Sequence, residues 1–270
     1  MALRHFAAAF AFTLAAAPAL AADTAPMLAH RAIYNLVMDS SRGGDVTAAT
    51  GRMEYELTDA CEGWATRQRL ALTLTNRDGQ DVESVADYAT FESKDGLTMR
   101  FRMRQTTDTA VTEQIEGTAT LDSPGGTGTI RYTLPEGKTM PLPRGTAFPM
   151  GHTEAIIAAA AAGKRFIALP IFDGTGDRGV QDSSVAIAAW GPGGAVPDPS
   201  MDGMPGGRVR IAFFDREKAA GARERVAGSP DYEVGMKYWA NGVSDDLQMD
   251  FSDFVMRGKL TEFTLLPPHC

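Results

Sequence analysis

Apolar and polar residues alternate along most of this chain, with the two-residue period of a half-buried β-strand. The clearest segment is residues 97–104, where leucine, methionine and phenylalanine alternate with threonine and arginine. Similar alternation predicts strands over residues 53–57, 70–74, 130–134, 185–190, 209–213, 232–238, 247–254 and 260–266. Turn-forming segments separate the strands, at residues 76–79, 94–96, 123–126 and 240–242. Many short strands with regular turns predict a mainly β chain, folded as a sandwich, a barrel or a curled antiparallel sheet.

One segment in the middle of the chain breaks this alternation. Residues 153–157 lead into five consecutive alanines, and Gly163 follows them. Alanine has the highest helix propensity, and glycine commonly ends a helix. We therefore expect one helix at about residues 152–163. Its small side chains would allow it to pack closely against a sheet.

The first residues have the layout of a secretory signal peptide. Arg4 precedes an apolar stretch, and residues 19–21 read Ala-Leu-Ala, a typical cleavage box. We expect residues 1–21 to be the signal peptide, with cleavage after Ala21 or Ala22, and the protein to be periplasmic. No cysteine follows the box, which argues against a lipoprotein. The alternative interpretation is a structural N-terminal helix.

The charge of the chain limits the classes of partner. The formal net charge is −8 at pH 7, so the chain lacks the basic surface of a nucleic-acid-binding protein. No segment after the leader is long and apolar enough to cross a bilayer. We expect neither a nucleic-acid partner nor a membrane-spanning segment.

The two cysteines of the chain are Cys61 and Cys270. An exported protein lies in an oxidising compartment, so two cysteines favour one disulfide. Two free thiols and an intermolecular bridge are the alternatives.

Several local strings are more specific than their composition. They are residues 30–36 (HRAIYNL), 51–56 (GRMEYE), 60–64 (ACEGW), 171–174 (IFDG), 238–244 (YWANGVS) and 265–270 (LLPPHC). Together they resemble the EipB-like family of cell envelope integrity proteins from alphaproteobacterial periplasms. The resemblance covers nearly the whole chain after the leader.

The resemblance implies a fold, a disulfide and a role. The fold would be one β-spiral domain over residues 22–270, a long antiparallel sheet curled into an oyster-like shell with one helix. The disulfide would join Cys61 and Cys270. The role would be non-enzymatic support of cell envelope integrity.

The most distinctive charged feature is the row Arg100, Arg102 and Arg104 on one face of a predicted strand. Such a row is a candidate site for phosphates or carboxylates of lipid A or peptidoglycan. The alternative is a solvent-exposed face paired with Glu113 and Glu116 on the next strand.

Signals for catalysis and cofactors are weak. Residues 174–179 match G-x-G-x-x-G, but a strand and not a helix is predicted after them, so we expect a loop and no cofactor. His30, His152 and His269 form no ligand pair, so we expect no metal site. A serine hydrolase using Ser244 with His152 or His269 is the least favoured interpretation.

The leading hypothesis is therefore a protein that binds a periplasmic protein or an envelope component such as a lipid or peptidoglycan. A curled sheet has a concave face that either the helix or a ligand must fill. The alternative hypothesis is thus a lipid or glycolipid carrier or sensor with an apolar groove.

Overall fold

A computed structural model of the protein describes residues 27–216 and 229–267. Residues 1–21, the expected signal peptide, and Cys270 lie outside these ranges. The strands are β1 (His30–Ser41), β2 (Val46–Asp59), β3 (Gly63–Asn76), β4 (Asp81–Ser93), β5 (Thr98–Thr107), β6 (Ala110–Leu121), β7 (Gly128–Leu134), β8 (Thr139–Leu142), β9 (Phe166–Ile171), β10 (Gln181–Gly191), β11 (Gly206–Asp215), β12 (Tyr232–Trp239), β13 (Ser244–Asp250) and β14 (Phe254–Leu265). The helix α1 is Pro149–Ala161, and a short 3₁₀ helix covers Pro199–Met201.

All of these strands belong to one antiparallel sheet of 14 strands, in the order β8-β7-β6-β5-β4-β3-β2-β1-β14-β13-β12-β11-β10-β9. The sheet consists of two meanders, β1–β8 and β9–β14, and the pairing of β1 with β14 joins them. The prediction of a mainly β chain with one long antiparallel sheet and one helix is confirmed. The sheet is not closed into a barrel, since β8 and β9 remain its two ends.

The two ends of the sheet are connected by the chain segment that contains α1. Ala147, just before the helix, forms an isolated parallel bridge with Ile171 at the end of β9. From there α1 enters the interior, where Ile156, Ala159 and Ala160 pack in the main hydrophobic cluster with residues of β10 and β11. Alanine leaves the helix backbone close to the sheet, as expected from the sequence.

The helix lies about three residues earlier than predicted. Its first residues include Pro149, whose fixed φ suits the first turn, and Phe148 precedes it in an extended conformation. It ends at Ala161, two residues before Gly163. Gly163 has φ +72°, and its N–H donates to the Ala160 carbonyl at 2.9 Å. Pro149 is a sequence signal for this earlier start, whereas His152 and Thr153 favour a later one.

The prediction of a single strand over residues 247–254 is wrong. The chain turns at residues 251–253, so that β13 ends at Asp250 and β14 begins at Phe254. Ser252 has φ 70°, and Phe251 donates its N–H to the Phe254 carbonyl at 3.0 Å. The turn contains Phe251 and no glycine, so the alternation of apolar residues continues through it.

Leucine and glycine alternate along one row of residues at the junction of the two meanders. One row across five neighbouring strands reads Leu72, Gly51, Leu36, Gly258, Leu247. A Cβ atom on Gly51 would lie 2.5 Å from a Leu72 methyl carbon, and one on Gly258 would lie 2.6 Å from a Leu36 methyl carbon. Leu72 therefore occupies the space above Gly51, and Leu36 and Leu247 occupy the space above Gly258. Glycine in a strand commonly marks such a close approach or a bend.

We predict that Gly51→Ala destabilises the protein by about 1–3 kcal/mol, the usual cost of overpacking. The new methyl would lie 2.5 Å from the Ala71 carbonyl oxygen, a backbone atom that cannot move aside. Urea denaturation followed by circular dichroism measures the change. Gly191→Ala is the matched control, because no atom lies within 4 Å of its Cβ position. Equal stability of the two variants would contradict the role of the row.

Candidate functional site

The inner faces of the two meanders enclose a cavity of about 440 Å³. Pro149, His152 and Thr153, in the first turns of α1, line it at one end. Five tyrosines from four strands form much of the wall: Tyr34, Tyr55, Tyr88, Tyr232 and Tyr238. Methionines and leucines fill the spaces between them, so the wall is mainly apolar. The volume falls within the range of small-molecule pockets, roughly 300–1,000 Å³.

Tyrosine hydroxyls connect the parts of the molecule that surround the cavity. The Tyr34 hydroxyl of β1 donates to the Ser244 carbonyl of β13 at 2.8 Å. The Tyr88 hydroxyl of β4 donates to the carbonyl of Asp173, in the loop after β9. The hydroxyls of Tyr238 and Thr153 lie 3.2 Å apart and tie β12 to α1. Burial raises the pKa of the Tyr34, Tyr88 and Tyr238 hydroxyls, so they stay uncharged.

The cavity wall contains one polar pair of side chains, which we call the rim, and one aromatic pair. Gln105 and Glu113 line the cavity where β5 turns into β6, and they are register partners. Phe213 and Tyr232 line it at the end of β11 and the start of β12.

Gln105 and Glu113 lie away from the first turn of α1, because Glu92, which bonds to Met150, is at the far end of β4. Phe213 lies closer to that turn, since its register partner Ser183 bonds to His152. An amphipathic molecule could therefore place its chain inside and its polar head against the rim.

A buried carboxyl group from the sheet caps the helix. Glu92 of β4 is 2% exposed, and its Oε2 accepts the Met150 N–H at 2.9 Å. This bond takes the place of the side-chain cap that Phe148 cannot provide. Burial raises the pKa of Glu92 to about 8, and the bond from Met150 opposes that shift. The carboxyl group is therefore mostly protonated at neutral pH, which suits a buried site.

The Ser244–His152 pairing of the serine hydrolase interpretation is wrong. Ser244 and His152 both line the cavity, but they have different partners. Ser244 Oγ lies 3.2 Å from the Tyr34 hydroxyl. His152 Nε2 lies 2.8 Å from Ser183 Oγ, whose proton goes to the Leu169 carbonyl at 2.8 Å.

That network assigns the His152 Nε2 proton as the donor to Ser183. The imidazole therefore cannot take a proton from Ser183 through Nε2. Burial also lowers the pKa of His152 to about 4, so the ring is neutral at pH 7. The pair has a structural role, and His269, the other candidate base, lies outside the described residues.

The arginine row lies on the outer face, opposite the cavity. Arg100 stacks over the Phe91 ring at 4.7 Å, and Arg102 lies 3.9 Å from Glu116. Within the described ranges, Arg104 forms no ion pair. The expected pairing with Glu116 is present at long range, whereas pairing with Glu113 is wrong because Glu113 points into the cavity. The proposed anion-binding role of Arg100, Arg102 and Arg104 stays a prediction.

The other candidate signals have structural explanations. Residues 174–179 form part of a loop that leads into strand β10, as expected. In that loop the Asp173 carboxylate accepts the Thr175 N–H at 3.0 Å, and Asp177 pairs with Lys138 at 2.9 Å. The described residues contain no group of three or more potential metal ligands. Within the same residues, no helix combines the length and apolar character needed to span a bilayer.

Cys61 lies in the turn between β2 and β3. It has φ 65°, and its N–H donates to the Asp59 carboxylate at 3.0 Å. Because Cys270 lies outside the described residues, the Cys61–Cys270 disulfide stays a prediction.

The inward-facing tyrosines were not identified from the sequence as a site. The signal that could have found them is the alternation itself, since Tyr232, Val234, Met236 and Tyr238 share one face of a predicted strand. Alternation identifies a buried face, but it does not say whether other side chains fill the space in front of that face.

Comparison with known proteins agrees with this architecture. A family model described as EipB-like matches residues 21–267. The cell envelope integrity protein EipB of Brucella abortus (strain 2308) is 33% identical over 262 residues, which cover 93% of this chain and 88% of that protein. A crystal structure of a beta-barrel-like protein of DUF1849 from Brucella abortus superposes with a TM-score of 0.79 at 30% identity. That match covers 90% of this chain and 99% of the other.

We predict that the free energy of unfolding falls as the pH rises from about 4.5 to about 8, because of Glu92. The folded-state pKa of about 8 lies above the ordinary value of 4.5, so folding favours the protonated form. The stabilisation is complete below pH 4.5 and is lost as the pH rises through 8. The slope from this one group reaches at most about 1.4 kcal/mol per pH unit.

Glu92→Gln keeps an acceptor for the Met150 N–H and removes the titration, so it should flatten this part of the profile. Urea denaturation at several pH values measures the slope. Glu83→Gln, at an exposed position of the same strand, is the matched control. A profile unchanged by Glu92→Gln would contradict the assignment.

Proposed function

The chain belongs to the EipB-like family, and from that premise we propose that it is a non-enzymatic periplasmic protein that supports cell envelope integrity by binding an envelope component. The family name connects these proteins with the cell envelope, and no enzymatic family is indicated. The leader-like residues 1–21 support the periplasmic location.

The observation that carries the binding proposal is the cavity. A packed interior normally has few voids larger than a water molecule, yet about 440 Å³ stays open between the meanders. The cavity wall combines an amide and a carboxyl group at the rim with aromatic rings elsewhere. A lipid or glycolipid with an acyl chain is the envelope component that suits this combination best. Binding of a periplasmic protein is the other form of the proposal.

We also propose that the Cys61–Cys270 disulfide fastens the end of the chain to the sheet. His30 is the register partner of both Leu57 and Leu265, so β2 and β14 run in the same direction on either side of β1. Strands two positions apart are separated by about 10 Å. The three residues after Pro267 can bridge that distance, at about 3.3 Å or more per extended residue.

We predict that Ala86→Trp abolishes binding of acyl-chain lipid. Ala86 lines the cavity from β4, and an indole at that position would occupy the space of a ligand. The protein is purified from periplasm, extracted, and analysed for co-purified lipid by mass spectrometry. We expect lipid with the wild type and at least about a tenfold loss with the variant.

Ala89→Trp is the matched control, because Ala89 is exposed on the opposite face of the same strand. It should retain the lipid of the wild type. Lipid-free wild-type protein that captures a periplasmic protein after crosslinking would contradict the lipid proposal and favour the protein-partner form.

We predict that Cys61→Ser lowers the free energy of unfolding by about 2–5 kcal/mol under oxidising conditions. The physical reason is that a long loop is no longer closed in the unfolded state. Guanidinium denaturation with and without a reductant measures the difference. Reductant should bring the wild type down to the variant and leave the variant unchanged. Equal denaturation midpoints for the two proteins under oxidising conditions would overturn the proposed role of the disulfide.

A further inference from the structure

The charge of the cavity wall distinguishes between classes of amphipathic ligand. Among the described residues that line the cavity, none is lysine or arginine, and the carboxylates are Glu113 and Asp173. The arginines of the same strands point outward: Arg67 and Arg69 flank Gln68, and Arg102 and Arg104 flank Met103. The strict alternation of the strands thus keeps the positive charge on the outside.

Three cations near Phe213 and the loop of residues 174–179 already have carboxylate partners. Arg178 bonds to Asp215 at 2.7 Å, and Arg216 lies 3.1 Å from Asp182. Lys138 pairs with Asp177, in the loop of residues 174–179, at 2.9 Å. An anionic head group would therefore have to break an existing ion pair to gain a counter-ion.

Transfer of an unpaired anion into such a site is costly, because it loses water without gaining a partner. Glu113 adds repulsion at the rim. Neutral hydrogen-bonding groups are available instead. Within the described residues, the Gln68 amide and the Tyr232 hydroxyl line the cavity and have no hydrogen-bond partner. Gln105, beside Glu113, offers a second amide at the rim.

We propose that the cavity selects a single-chain amphiphile with an uncharged, hydroxyl-bearing head group and excludes anionic lipids. This inference rests on the proposed function, since it specifies the ligand of the same cavity. The volume of about 440 Å³ lies towards the small end of ligand pockets and suits one chain. The tail would lie among the tyrosines and methionines, and the head would bond to the amides at the rim.

The test uses three probes with the same twelve-carbon chain: monolauroylglycerol, dodecanoate and dodecyltrimethylammonium. Delipidated full-length protein is titrated below the critical micelle concentrations at pH 7.5, with isothermal calorimetry as the readout. We expect monolauroylglycerol to bind at least about tenfold more tightly than dodecanoate and more tightly than the cationic probe.

A charge reversal at Glu113 tests whether the negative charge at the rim causes the exclusion of anionic lipids. Glu113→Lys should raise the affinity for dodecanoate about tenfold and leave that for monolauroylglycerol within a small factor. Glu116→Lys, on the outer face of the same strand, is the matched control and should change neither affinity. Glu113→Gln, which removes the negative charge and keeps a side chain of similar size, should raise the affinity for dodecanoate by a smaller factor, and it replaces Glu113→Lys if that variant does not fold.

The outcomes separate the two proposals. Dodecanoate or the cationic probe binding as tightly as monolauroylglycerol would overturn the selection for an uncharged head and leave lipid binding standing. Dodecanoate binding that does not respond to either substitution of Glu113 would show that the charge at the rim does not cause the selection, and would overturn that assignment. Binding of none of the three probes would overturn lipid binding itself.

Discussion

The shape of this protein depends on a steric constraint at the β1–β14 junction, where leucines pack above glycines. A wide antiparallel sheet with one apolar face must curl or pair with another layer to keep that face from water. Here Leu36 fits between Gly51 and Gly258 on the neighbouring strands, which allows the sheet to bend sharply at its centre. The two meanders then face each other, and each covers the apolar side of the other. Residues of both meanders and of α1 share the main hydrophobic cluster.

The helix fills only part of the interior, and the remaining space is the tyrosine-lined cavity. One helix occupies part of the concave space, held by the buried Glu92 carboxyl group at its first turn. The rest is lined by large side chains, and the hydroxyls of three tyrosines among them bond to other elements and not along their own strands. Tyr34, Tyr88 and Tyr238 each connect two elements that are distant in sequence. The tyrosines of the cavity wall thus also hold the surrounding elements together.

Much of the fold could be predicted from residue alternation, because each strand has one buried face and most turns carry glycine or asparagine. The prediction failed where those signals were missing, as at residues 251–253, where a phenylalanine lies in the turn. The family resemblance supplied the curled sheet, which alternation alone does not distinguish from a sandwich. The site was less predictable. Alternation places Glu113 and Arg102 on opposite faces of adjacent strands, but only the register and the curvature decide that one face encloses an open space.

The β1–β14 pairing has a consequence for the order of folding. The first and last described strands form the centre of the sheet, so the contact that joins the meanders has the largest sequence separation in the molecule. Each meander can form from neighbouring hairpins, whereas the junction requires closure of a very long loop and should form late. A chain that emerges N-terminus first would leave β1 as an unpaired central edge until β14 arrives. During that interval the emerging half-sheet is vulnerable to aggregation, and the final strand protects it as well as completing it.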